Sequence, residues 1–160
     1  MLGRAWYRAG QFFGALRVRI DPGELEAARA VLGERAYALF RSMDLRDQRH
    51  GLDVWRMLKA SAPEDTDLQV AALLHDCGKG RQTVWSRSAH VVLQAIAPGV
   101  ERRIARPGGA LDRLRRHPEL GAERAAAAGC GPETLRLIRE QDSVPGDERL
   151  ALLQRADEAN

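Results

Sequence analysis

Leu68-Gln69-Val70-Ala71-Ala72-Leu73-Leu74-His75-Asp76-Cys77-Gly78-Lys79 is a nearly unbroken apolar run that ends on a histidine beside an aspartate. Residues 68 to 74 are apolar on almost every face of a helix, and such a helix belongs inside a protein rather than along its surface. The imidazole and carboxylate at its end then enter a dry interior, where each needs a partner. Both are ligands suited to iron, manganese, zinc or a similar divalent ion. Gly78 allows the helix to end and leaves Lys79 close to the pair. A His-Asp pair on its own has a plainer explanation, a buried hydrogen bond that finishes a helix.

Upstream, Asp44 and Asp47 begin a helix to about Ala60, in which His50, Val54, Met57 and Leu58 share one face that turns His50 inward. Between it and the apolar run, Pro63 and Glu64-Asp65-Thr66-Asp67 read as a turn and a helix start. Their negative side chains oppose the positive end of the peptide dipoles and need no catalytic role. Asp21-Pro22-Gly23-Glu24 is a second helix start with the residues of a capping box, leading to about Leu32. Gly33 allows a break before a further segment, Glu34 to Met43. Residues 3 to 17 set Trp6, Phe12, Phe13 and Leu16 among Arg4, Arg8 and Arg17, an amphipathic helix expected to pack on the domain. The same pattern also suits a helix lying on a membrane surface.

Downstream, Thr83 caps a helix in which Trp85, Ala89, Val92 and Ile96 form a stripe, and His90 lies off it toward solvent. Pro98-Gly99 and Pro107-Gly108-Gly109 bracket Glu101 to Arg106, an arginine-rich connection. Leu111 to Arg116 is expected to be helical. Pro118 after His117 starts a helix to Ala128, ended by Gly129, and so puts His117 at a helix amino terminus. Backbone N–H groups there favour an anion, although capping is the plainer role for the side chain. Gly131-Pro132 opens a helix to about Gln141. Asp147 caps the last one, whose Leu150, Leu153 and Asp157 lie on a common face, and an aspartate there is costly without a partner. No strand or repeat is visible, and the expected fold is all-α, a compact helical bundle.

In chain order, His50 within Asp47-Gln-Arg-His50-Gly-Leu-Asp-Val, then Leu-Leu-His75-Asp76-Cys-Gly-Lys79, then Leu-Leu-Gln-Arg-Ala-Asp157-Glu resemble the H…HD…D signature of the HD-domain metal-dependent phosphohydrolases. His117-Pro118-Glu119-Leu120-Gly121-Ala122 is similar to a His-Pro-Glu-x-Gly-Ala segment of several branches of that superfamily. The resemblance covers about residues 44 to 160 and leaves residues 1–43 as a helical extension packed on a single globular unit. It implies an HD-like bundle in which His50, His75, Asp76 and Asp157 hold a divalent ion: iron, manganese, cobalt, nickel or zinc. It also implies hydrolysis of phosphomonoesters or phosphodiesters, with small phosphorylated metabolites as substrates, nucleotides or dinucleoside polyphosphates foremost. Asp76 would orient the attacking water, Lys79 would pair with a phosphate oxygen, and His117 would serve the substrate or a second ion. One ion is expected. Branches with two ions place another histidine in the following helix, where this chain has Ile138-Arg139-Glu140-Gln141-Asp142, so a second ion would need Glu140 or Asp142. The Gly-Tyr-Pro motif of the cyclic-dinucleotide branch is missing. The competing expectation is a catalytically weak or inactive nucleotide-binding or regulatory module that keeps the HD fold and its ligands.

The 160 residues, 44% of them hydrophobic, suffice for one core and are too few for two ordinary domains. Lys plus Arg number 25 against 22 Asp plus Glu, a net charge of +3, and the arginines are scattered among acidic residues, so no nucleic-acid partner is indicated. Cys77 and Cys130 form no CxxC and fit a reducing cytoplasm. Neither a secretory pattern nor the roughly 18 apolar residues of a membrane span is present, and a cytoplasmic location is expected.

Overall fold

A computed structural model describes residues 18–80 and 116–160. Every regular element among them is a helix: α1 (Pro22–Arg41), α2 (Leu45–Ser61), α3 (Thr66–Leu74), α4 (His117–Ala127), α5 (Pro132–Glu140) and α6 (Glu148–Glu158). The architecture is an all-α bundle arranged around α3. That helix has only nine residues, too few to persist alone in water. All seven residues from Leu68 to Leu74 are buried, and α1, α2, α5 and α6 pack around them. Each fully buried leucine contributes about 1.5–3 kcal/mol, and it is this packing, not helix propensity, that holds α3. Asp65 fixes its start by accepting a hydrogen bond from the Leu68 N–H at 3.1 Å.

α1 begins with the expected capping box, in which Asp21 accepts from the Gly23 N–H at 2.7 Å and Glu24 answers the Asp21 N–H. It bends at Gly33, whose φ of 69° is open to glycine but strained for other residues. Ala28, Ala36 and Phe40 from α1, with Met43 just after it, enter the same core as the remaining helices. Glu24 also reaches across to Arg49 and Arg56 of α2, and Arg35 donates to the Ala127 carbonyl at the end of α4.

The buried side of α2 runs through Gly51, Val54 and Leu58. At about 100° per residue, His50 and Met57 fall at the edge of that side rather than at its centre. Met57 is accordingly 43% exposed, against the expectation that it faces inward, and His50 is half-buried. The edge position leaves His50 at the rim of the core. Trp55 joins α2 to α3 by donating to Gln69 Oε1 at 3.0 Å. Thr134 of α5 donates to Asp67 Oδ1 at 2.8 Å, and Asp147 caps α6 through the Leu150 N–H. Cys77 and Cys130 are free thiols. Among the described residues no helix is long and apolar enough to cross a membrane. The helices expected at residues 3–17, after Thr83 and from Leu111, together with His90 and the Glu101–Arg106 connection, lie outside the described residues.

Candidate metal centre

α3 ends at Leu74, and His75 to Lys79 form a turn rather than a last helical stretch closed by Gly78. Gly78 has a different part. A β-carbon on it would lie 1.9 Å from the His117 carbonyl oxygen and 2.6 Å from the Gly121 nitrogen. The amino end of α4 therefore rests directly on this turn, and Arg124 of α4 fastens it by donating to the Cys77 carbonyl at 2.6 Å. On the other side, a β-carbon on Gly51 would meet the Leu73 carbonyl at 3.0 Å. The backbone of α2 thus closes on α3 beside His50. Close backbone contacts on two sides bring residues far apart in sequence around His75 and Asp76.

His50, His75 and Asp76 offer ligand atoms that all lie within 4.8 Å of one another. From α6, Asp157 Oδ1 stands 2.6 Å from His50 Nε2 and 3.4 Å from His75 Nε2. His75 Nε2 is 3.5 Å from Asp76 Oδ1, and the two imidazole rings meet edge to face with centroids 5.1 Å apart. His75 Nδ1 lies 2.9 Å from the Ala72 carbonyl, which can only accept, so the proton is on Nδ1 and the Nε2 side is turned to the cluster. His75 and Asp76 are each 2% exposed, and His75 Nε2 and both Asp76 oxygens lack an aligned hydrogen-bond partner. Lys79 Nζ pairs with Asp76 Oδ1 at 2.5 Å and partly offsets the charge of this buried carboxylate.

No protein-family model, curated protein or solved structure matches the chain. The donor set must therefore be judged on its own chemistry. Ligand bonds of about 2.0–2.2 Å to a transition ion put neighbouring donors roughly 3.0–3.5 Å apart. The separations of 3.4 and 3.5 Å around His75 fall in that range, while the 2.6 Å between His50 and Asp157 is a hydrogen-bond distance. The buried donor atoms of His75 and Asp76, flanked by the imidazole of His50 and the carboxylate of Asp157, are a donor set that fits a divalent ion.

The remaining expected residues divide. His117 Nε2 lies 4.0 Å from Asp76 Oδ1 and 3.9 Å from Asp142 Oδ2, between two carboxylates. Arg116 occupies the cap position of α4 and His117 is its first residue, which disfavours the capping role. Of the two acidic residues considered for a second ion, Asp142 is beside His117, whereas Glu140 pairs with Arg136 at 2.9 Å. Asp157 is 44% exposed and lines a cleft of about 300 Å³ with Gln141, Asp142, Ser143, Gln154 and Glu158. Gln141, which the sequence pattern marks only as the end of a helix, is buried and bonded to the His75 carbonyl at 2.9 Å. A signal existed: Thr134, Leu137 and Ile138 face the core, and the same helical spacing carries that stripe to position 141.

Burial alone would push the His75 imidazole down, but Asp76 beside it, then Asp157 and the Ala72 carbonyl, reverse this and raise it to about 9. His50, hydrogen-bonded to it, and then the neighbouring His75 imidazole hold the Asp157 carboxyl far below the usual carboxylate range. Burial opposes the charge on Asp76, yet His75 and Lys79 prevail and lower it. In chelated protein His75 then carries a second proton, on Nε2, at neutral pH, and an ion must displace it. Ion uptake is expected to release about one proton per ion near pH 7 and about half a proton at pH 9. The apparent affinity should rise about tenfold per pH unit until about pH 9 and level off above it. Titration of chelated protein at several pH values, following both affinity and proton release, checks this; an affinity flat from pH 7 to 9 would contradict it.

Proposed function

We propose that this chain is a divalent-metal-dependent phosphohydrolase of the HD-domain kind, acting on small phosphorylated metabolites, with nucleotides or dinucleoside polyphosphates foremost. One observation carries the reading: His50, His75 and Asp76 converge within 4.8 Å, with Asp157 against both imidazoles, and the donor atoms of His75 and Asp76 are buried without aligned partners. Buried polar atoms such as His75 Nε2 and Asp76 Oδ2 cost stability when they lack a partner, and a binding role accounts for their presence.

His50, His75, Asp76 and Asp157 would hold the ion. When bound, a divalent ion supplies Lewis acidity, which makes a water more acidic and draws charge from a phosphoryl oxygen. Asp76, whose oxygens are shut from solvent, orients the attacking water and accepts its proton. Lys79 Nζ, a compact cation beside Asp76, pairs with a non-bridging phosphate oxygen. His117 Nε2, set between Asp76 and Asp142, would serve the phosphoryl group of the substrate or a second ion.

Metal analysis of the purified protein, followed by a panel of phosphomonoesters, phosphodiesters, nucleotides and dinucleoside polyphosphates, tests the proposal. His117→Ala is expected to retain the ion and the fold while turnover falls roughly ten- to a thousandfold, the range for losing one group that stabilises developing charge. A side chain that only finished a helix would cost about 1 kcal/mol of stability and leave the rate per folded molecule unchanged. If metal-loaded wild type cleaves nothing in the panel but a nucleotide raises its melting temperature, the hydrolase is replaced by a nucleotide-binding module on the same fold.

A further inference from the structure

Gln141 and Gln154 join the two halves of the cluster through four hydrogen bonds. Gln141, just past α5 and buried, donates its amide hydrogens to the His75 carbonyl at 2.9 Å and the Ile138 carbonyl at 2.9 Å. Gln154, on α6, donates to the Gln141 carbonyl at 2.9 Å and the Ser143 carbonyl at 2.6 Å. A primary amide has two N–H donors, so both amide nitrogens spend their two donors on backbone oxygens. The connection runs from α6 through Gln154 to the Gln141 backbone, and from the Gln141 side chain to the backbone of His75. Gln154 and Asp157 are three residues apart on α6 and lie on the same helical face.

We propose that Gln141 and Gln154 form an amide clamp that sets the distance between Asp157 and His75, making both glutamines positioning residues for the ion. The inference rests on the metal-centre reading above. His75 and Asp76 are held from below by α3 and from the side by α4, through Gly78 and Arg124. Asp157 comes from a separate helix, held to the core by Leu150, Leu153 and Ala156. Its side chain is 44% exposed and bonded to His50, and its 3.4 Å separation from His75 Nε2 depends on where α6 sits relative to the His75 backbone. The clamp restrains that placement, since it ties the carbonyl of His75 to a side chain one turn from Asp157. Groups that orient ligands in this way typically contribute 10–100-fold in metal affinity. The plainer role for the same bonds is to satisfy carbonyls at the ends of α3 and α5, which would support the fold without acting on Asp157.

The two roles separate in a mutant cycle read with Co²⁺ as the only ligand. Gln141→Met and Gln154→Met keep side-chain length and remove the amide donors. Each is expected to weaken Co²⁺ binding about ten- to a hundredfold and to move the visible absorption of bound Co²⁺ toward that of Asp157→Asn. In the Asp157→Asn background the same changes should add less than about twofold, because they act through Asp157. Losses of equal factor in both backgrounds, with the Co²⁺ spectrum unchanged in the single variants, would overturn the clamp and leave helix capping. The spectrum decides where Asp157→Asn binds too weakly to titrate, and Gln154→Met alone decides if Gln141→Met does not fold. Wild type that takes up no Co²⁺ would instead overturn the metal centre, and the clamp with it.

Discussion

Asp76→Ala is expected to abolish both ion binding and hydrolysis. Asp76 is proposed to have two tasks on one carboxylate, holding the ion and receiving the proton of the attacking water, and its oxygens are as enclosed as His75 Nε2. Loss of the proton-transfer task alone lowers rates about 10²–10⁴-fold, and loss of the ion adds to that. A thermal readout separates this from simple unfolding. An ion at a hundred times its Kd stabilises the folded chain by about 2.7 kcal/mol, which is roughly 5–10 °C for a chain of this size. Wild type should gain that increment on reconstitution with manganese, iron, cobalt, nickel or zinc, while Asp76→Ala should melt at one temperature with or without the ion. Glu64→Ala, in the exposed acidic turn before α3, should keep both the increment and the rate. Equal effects of the two substitutions would refute the placement of the site.

The core of this fold was readable because its signals are local. The apolar run 68–74, the capping box at Asp21, the break at Gly33 and the cap at Asp147 depend on neighbours within a few residues, and each has the structure expected of it. The cluster was also largely legible, since an imidazole or carboxylate on an apolar helical stripe needs a partner, and His50, His75, Asp76 and Asp157 are such residues. What the pattern missed depends on distances between helices. It placed Met57 inward because the stripe was drawn through His50, whereas the buried side of α2 is centred on Gly51, Val54 and Leu58. It took Asp157 as enclosed, and the residue lies half-open at a cleft. It read Gly78 as a helix terminator, a local role, where the reason for glycine is a contact with residues about forty positions away.

Gly78→Ala consequently carries the largest expected effect on the fold. Its β-carbon would sit 1.9 Å from the His117 oxygen, 2.6 Å from the Gly121 nitrogen and 2.8 Å from the His117 carbonyl carbon, all backbone atoms of α4. A flexible side chain can turn aside, but these atoms move only if the amino end of α4 or the His75–Lys79 turn moves. Overpacking a tight interior costs about 1–3 kcal/mol when side chains can adjust, and a backbone clash belongs at or above the top of that range. A cost of about 3 kcal/mol corresponds to a melting temperature lower by roughly 6–12 °C. The displacement would also carry His117 away from Asp76, so molecules that still fold should turn over substrate more slowly. Gly33→Ala provides the contrast. It is strained by its φ of 69° but meets nothing within 4 Å, and it should cost about 1–2 kcal/mol with the rate per folded molecule preserved. Denaturation midpoints and single-turnover rates for both variants test the argument, and Gly78→Ala melting within about 2 °C of wild type would show that α4 does not rest on the His75–Lys79 turn as described.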